Sequence, residues 1–527
     1  MGHIQIGWSI RDISTNKPVC IPGQFHQRVS QGIADPLFAT ALVITDSNDS
    51  AIFLSIDAIA IRCGLLDEIK HKVSTTNKEI PVTKILVNAT HTHESPCHYH
   101  DTYPEDKACG ASDAPLDFPH PGIDIASCDE YRDFLSTQAA EAVCEAWDVK
   151  EAGGIGYGYG YAVVAHSRRV VYFDDVSKRA GAINNATHGV NGHSVMYGIT
   201  NNKNFSHYEA GADHFLNLMF TFDENEQLTG AIVNIPCPAQ NSELTESISA
   251  DYWSDIRRAL SERYGNIFIL PQCAAAGDLA PRILHYRQAQ TRRFRLKYGC
   301  TEPIVDNGST IDQIGTWGIE QELCARKDIA ERVATAFGEV LSWARNEIFT
   351  NLPIVHDVRT IKLSKRLINE NEFLEDSRQF DAHKGTPFLT EGTPSDLLFQ
   401  NSCLTAERSR HKAIMDRYTT QNESQTIPME LHTIRIGDIA FASNRFELYM
   451  DYQHRIQARS PFLQTFIVQL AGVPGEQGGT YLSTERGAAG RGYSASHYCN
   501  IVSPKGGQEL VEQTLDALND VANTKGD

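Results

Sequence analysis

His91-Thr92-His93 is the sharpest chemical signal in the chain. On extended backbone, residues two apart point to the same face, so both imidazoles can address one centre. Neutral imidazole is a common metal ligand and suits zinc, although the same pair can equally be a hydrogen-bonded structural feature. The pair follows the apolar run Ile85-Leu86-Val87, and other such runs also end in polar or reactive residues. Ile232-Val233 leads to Cys237, held between Pro236 and Pro238. Phe268-Ile269-Leu270 leads to Gln272, Cys273, Ala274, Gly277 and Asp278. Ile439-Ala440-Phe441 leads to Arg445 and Glu447, and Phe466-Ile467-Val468 leads into a Gly-rich stretch with Tyr481. Each has an ordinary reading by itself. A cysteine after a strand is usually a small buried apolar residue, a Glu near a helix start complements the helix dipole, and a Tyr is usually a hydrogen-bonded core residue. In open α/β sheets, however, ligands bind beyond the carboxyl ends of strands, so five such ends imply one site.

The elements that must position these residues alternate between strand-like and helix-like along the whole chain, as in α/β architecture. Buried strands are predicted at 37–44, 51–56, 84–88, 229–234, 266–270, 438–442 and 465–470. Helices are predicted at 130–147, 253–263, 318–347 (as two), 445–458 and 507–519. The stretch 95–121, rich in Cys, His, Asp and Pro, reads as a long ordered loop, and 475–492 as a mobile one. Arg287, Arg292, Arg293, Arg295 and Lys297 form the one concentration of positive charge, read as a solvated helix face. The expected fold is a single large α/β domain, a mixed β-sheet core flanked by helices, with the active site at strand carboxyl ends.

Composition narrows the partners. Charged residues are 21% and hydrophobic residues 41% of 527, ordinary for a globular enzyme. The formal net charge of −19 opposes nucleic acid and anionic membrane surfaces alike. No run approaches the ~20 apolar residues that cross a bilayer, so no membrane insertion is expected. The opening residues lack the pattern of a secretion signal, which predicts a cytoplasmic protein whose 12 scattered cysteines are free thiols. The expected partner is a small-molecule substrate.

Taken in order, these segments resemble the neutral/alkaline, non-lysosomal ceramidase family. Asn88-Ala89-Thr90-His91-Thr92-His93 is similar to the family's Thr-His-Thr-His-Ser, and Ile248-Ser249-Ala250-Asp251 to its Ile-Ser-Ala-Asp. Cys273 through Pro281 resembles its Gln-Ser-Asn-x-Gly-Asp-x-Ser-Pro loop, with Gln272 one place early. Arg445-Phe446-Glu447 matches a Glu-Phe segment through the Glu, and Tyr481-Leu482-Ser483-Thr484 resembles Tyr-Val-Thr-Thr. The resemblance runs from Trp8 to about Leu518 and implies one catalytic domain over 1–527, without the family's C-terminal immunoglobulin-like domain.

It further implies a zinc amidase whose metal is held by His91, Glu447, Tyr481 and, where the family has a histidine in Ile-His-Pro, Cys237. A thiolate can replace imidazole on zinc while making the metal less electrophilic. His93 falls on the histidine that contacts the substrate carbonyl. Asp278, Gln272, Gly277 and Arg445 are expected on the substrate side. The family's catalytic serine falls on Ala274, which leaves a water nucleophile, lost activity, or an inactivating substitution at that position. A serine restored there is expected to cost within ~1 kcal/mol if the pocket is solvated. The resulting expectation is a zinc-dependent hydrolase of a carbonyl bond, most readily an amide, acting on a soluble polar substrate. Glycoside or ester hydrolysis on the same scaffold, or a metal-bearing binding protein without turnover, are the alternatives.

Overall fold

The computed structural model describes residues 3–99, 124–182, 191–243, 245–302, 318–475 and 480–524. Most of the predicted 95–121 loop therefore lies outside the described residues.

Eight strands form the principal sheet: β1 (Gln5–Asp12), β2 (Phe38–Thr45), β3 (Ser50–Ile56), β4 (Ile85–Ala89), β5 (Glu151–Tyr161), β6 (Phe215–Asp223), β7 (Leu228–Ile235) and β8 (Phe268–Cys273). Their spatial order is β8-β7-β6-β5-β1-β2-β3-β4. Only the outer pairs β7–β8 and β3–β4 are parallel, so the sheet is mixed. These parallel strands are buried along nearly their whole length, as strands covered on both faces must be. One face packs on helices α1 (Leu65–Thr76), α2 (Cys128–Asp148), α3 (Tyr252–Tyr264) and α4 (Ile319–Ala344). The other packs on a four-stranded sheet, in the order β9 (Ile354–Ser364), β10 (Thr426–Ile436), β11 (Ile439–Ser443) and β13 (Gln464–Val468). Phe53 of β3 meets Phe441 of β11 at 4.8 Å between ring centroids, within an apolar layer built from both sheets. Helix α8 (Pro504–Asn523) covers the far side of the small sheet, and the helices α5 (Glu370–His383) and α6 (Pro394–Thr420) pack on each other.

The two parallel pairs stand at opposite edges of the principal sheet, yet their carboxyl ends meet. Ser55 Oγ and Asn88 Nδ2 both donate to the carbonyl of Pro271 on edge strand β8, at 2.6 and 3.1 Å. Proline suits such an edge because it has no ladder donor to offer. The residues after β13 seal the seam. Gln469 N donates to Cys273 O at 3.0 Å, and Gly472 N donates to Val87 O at 2.9 Å.

The predicted strands fall within a few residues of observed ones, and three expectations are corrected. The 318–347 region forms one helix, α4, whose apolar face is continuous from Cys324 to Ala344. The predicted helix 445–458 begins only at Met450, as α7 (Met450–Gln457). Ahead of it, β12 (Glu447–Leu448) pairs in parallel with β14 (Tyr481–Leu482). The 475–492 stretch, read as a mobile loop, thus supplies strand β14 and a short helix, Glu485–Gly490, N-capped by Thr484. Arg293 and Lys297 of the basic helix are paired with Asp328 at 2.7 Å each, and both are exposed, as are Arg292 and Arg295. All described cysteines are free. No helix among the described residues is long and apolar enough to cross a membrane.

Candidate functional site

His91 leaves β4 in a left-handed turn, with φ +65°, which corrects the extended backbone expected for the His-Thr-His segment. Its amide donates to Ala58 O at 2.9 Å, and its ring Nδ1 contacts Ile59 O at 2.7 Å. A carbonyl only accepts, so the proton sits on Nδ1 and the Nε2 lone pair points away from it. That lone pair faces Glu447 Oε2 at 3.4 Å and His93 Nε2 at 3.4 Å. The imidazoles meet edge to face, with centroids 4.9 Å apart, although the turn is not a strand.

Glu447 and Tyr481 come together through backbone pairing. They are direct partners in the β12–β14 register, and Glu447 N donates to Thr480 O at 3.0 Å. Burial opposes ionisation of Glu447, but a positive charge shared with His91, then Arg168 and the Tyr481 phenol, brings its pKa down to about 2. It is therefore a carboxylate at any physiological pH. Burial first, and then the Glu447 charge, push Tyr481 well above the usual phenol value. Gly277 makes the close approach possible. Its amide donates to Leu448 O at 2.8 Å, and a Cβ on it would collide with the Glu447 carbonyl.

Arg168 was not among the sequence-predicted residues. Its Nη2 donates to Tyr481 Oη at 3.1 Å and to Gly277 O at 2.9 Å, and lies 3.9 Å from Glu447 Oε2. Its Nη1 donates to Gln240 Oε1 at 3.2 Å. Two adjacent arginines inside Ala-Val-Val-Ala-His-Ser-Arg-Arg-Val-Val-Tyr are the signal that could have revealed it. A buried guanidinium in an apolar stretch needs fixed partners. Arg169 finds its own in Glu209, through paired contacts of 2.9 and 2.7 Å.

The structure thus brings together His91, His93, Glu447 and Tyr481, with Gly277 against them, and places the other expected residues differently. Cys237 is fully buried, with Sγ 3.5 Å from its neighbour Pro238 O, and its main-chain oxygen accepts from Tyr252 Oη and Cys273 Sγ. Burial, followed by the Cys273 sulfur, raises its pKa well above the usual value, which favours the neutral thiol. Among the described residues no group of three or more His, Cys, Asp or Glu side chains is arranged to hold a metal ion. Gln272 is buried in the sheet and accepts from Asn234 Nδ2 at 3.2 Å. Asp278 takes the Met450 amide at 2.9 Å, at the first turn of α7, and burial lifts its pKa to about 6. Arg445 is 1% exposed and Ala274 0%, so among the described residues the solvated pocket expected around Ala274 is not found. Asp251 has a supporting role: its Oδ2 accepts from Asn241 N and Ser242 N at 2.8 and 2.7 Å, holding the turn that carries Glu243.

This is an α/β chain with a buried polar site where sheet edges and inter-sheet segments converge. Its fold is that of neutral ceramidase. The solved neutral ceramidase from Pseudomonas aeruginosa aligns with a TM-score of 0.64 and 14% identity, covering 99% of this chain and 75% of that one. A ceramidase solved in complex with C2 aligns with a TM-score of 0.62 and 13% identity, covering 99% and 76%. No family model matches the sequence, and no curated protein does.

Proposed function

We propose that the protein is a hydrolase of carbonyl substrates, an amidase acting on a polar N-acyl compound, with a zinc ion held by His91, Glu447 and Tyr481. The observation that carries this reading is the pair of acceptors, His91 Nε2 and Glu447 Oε2, facing each other at 3.4 Å. Two buried acceptors repel unless a cation, a proton or a metal ion, lies between them. An imidazole oriented by a backbone carbonyl, a carboxylate and a phenol oxygen form a donor set that suits zinc. Cys237, the fourth ligand implied by the family resemblance, stays on its own turn, which leaves a position free for water or substrate as catalytic sites require. When bound, zinc would polarise a carbonyl and acidify water.

The residues of the chain do the rest. Arg168 holds the Tyr481 oxygen and puts a fixed positive charge beside the position where an oxyanion develops. His93, next to His91, accepts and returns a proton. Glu447 supplies the negative charge that keeps a cation in place. The name of the solved ceramidases favours an amide bond, while the −19 net charge favours a soluble substrate over an anionic lipid surface.

Elemental analysis of protein purified without added metal, followed by an untargeted metabolite-depletion assay, tests this. About one zinc per chain is expected, lost in His91→Ala, together with depletion of an N-acyl compound. Full zinc content in His91→Ala would misplace the site. Zinc without depletion of any metabolite would favour the binding-protein alternative.

A further inference from the structure

His93 is held from every side, but its Nδ1 has no hydrogen bond among the described residues, although the atom is buried. Glu243 Oε2 lies 3.4 Å from it. Gly23 packs against the same nitrogen. It has φ +104°, and a Cβ there would collide with Nδ1. Glu243 is itself fixed: Arg282 Nη1 donates to its Oε1 at 2.6 Å, and Gln240 Nε2 to its Oε2 at 2.6 Å. Arg282 is anchored in turn on Glu322 at 3.0 Å. Arg28 ties the two backbones together, donating to the carbonyls of both His93 and Glu243.

We propose that Glu243 is a positioning residue for His93, taking the Nδ1 proton so that the Nε2 lone pair faces the reaction centre. A carboxylate behind an imidazole fixes both ring orientation and tautomer, which is the logic of catalytic triads. With the proton on Nδ1, His93 acts at Nε2 as a proton acceptor and not as a neutral donor to an oxyanion. In amide hydrolysis, the water oxygen bonds to the carbonyl carbon while one water proton passes to Nε2. The same proton then moves to the leaving nitrogen as the C–N bond breaks, giving acid and amine. Both the catalytic consequence and the tautomer rest on the zinc-hydrolase reading, since the Nε2 lone pairs of His93 and His91 face each other at 3.4 Å and need its cation between them. Glu243 lies in Gln240-Asn241-Ser242-Glu243, after the Cys-Pro turn, and no metal or strand-end pattern marks it in the sequence.

The test is ring-nitrogen NMR of the full-length, 15N-histidine-labelled protein, with His93 assigned through His93→Gln. The wild type is expected to carry the His93 proton on Nδ1. In Glu243→Gln, Arg282 should retain the amide oxygen in the Oε1 position. The amide NH2 then faces Nδ1, Gln240 turning its own amide oxygen toward it, and drives the ring to the Nε2–H tautomer. On an N-acyl amide probe, kcat of Glu243→Gln should fall ~10²-fold or more with KM little changed. The double variant Glu243→Gln/His93→Gln should be no slower than His93→Gln alone. A wild-type His93 protonated on Nε2 overturns the proposal even if Glu243→Gln fails to fold, and so does a tautomer unchanged by the substitution. An inverted tautomer in a protein that hydrolyses no N-acyl amide overturns the hydrolysis and leaves the cation and the Glu243–His93 pair standing.

Discussion

Alkaline pH should loosen the α5–α6 helical arm from the segment that backs the site. The joint is Asp376 of α5, whose carboxylate takes His411 Nδ1 of α6 at 2.6 Å, Tyr498 Oη at 2.6 Å and His497 Nε2 at 3.0 Å. Glu407 meets the other nitrogen of His411 at 3.2 Å. Glu372 lies 3.9 Å from His497 Nδ1 and is paired with Arg366, while Arg410 stacks on Tyr498. Burial works against charging His411, but Asp376 and Glu407 outweigh it and raise its pKa to about 9, from 6.5. At about 1.4 kcal/mol per pH unit, that interval amounts to about 3 kcal/mol for the cluster. The folded-state pKa lies above the unfolded value, so this stability is fully present below 6.5 and is lost as pH rises through about 9. Asp376, which its partners hold below the usual carboxylate value, contributes in the opposite sense: its share is lost only in acid. Denaturant unfolding at about pH 6 and about pH 10, for wild type and His411→Gln, isolates the effect because other titrating groups are common to both. The wild type should lose about 2–3 kcal/mol more than the variant between those values. Parallel declines would refute the reasoning. The joint bears on the site because the same segment carries Tyr493, which packs edge-on against Tyr481 at 5.7 Å.

Gly277→Ala should cost about 1–3 kcal/mol by overpacking and, by pushing on the Glu447 carbonyl, lower both melting temperature and metal content; a variant unchanged in both would show that the close approach is unimportant. Ala274→Ser places a hydroxyl at a fully buried position, so it should destabilise by about 1–3 kcal/mol if no partner forms and bring no gain in turnover. A gain of ~10²-fold would instead mark the position as that of a missing catalytic group.

What the sequence made legible followed local pattern. Continuous apolar runs such as 37–44 and 51–56 identified buried strands, because both sheet faces are covered. Strand β5 was missed because it alternates Gly with Tyr from Gly156 to Tyr161, and supplies no apolar run. The α5 and α6 helices were missed because their apolar faces are weak and broken by charged partners such as Asp376 and Arg410. Motif order drew attention to His91, Glu447 and Tyr481, which lie together in the structure, but gave no sign of how they meet. Glu447 looked like a helix start, whereas its pairing with Tyr481 is set by long-range β-bridging that no local spacing reveals. Arg168 and Glu243 belong to no strand-end motif. They enter the site through tertiary hydrogen bonds to Gly277, Gln240 and Arg282.

The most direct test of the central claim is product analysis by mass spectrometry. Purified protein would be incubated with a panel of polar N-acyl amides, and the free acid and amine quantified. Stoichiometric release of both by the wild type, abolished in Glu447→Gln and reduced ~10²-fold or more in His93→Gln, is the expected result. No release by a zinc-loaded wild type, or undiminished release by Glu447→Gln, would contradict it.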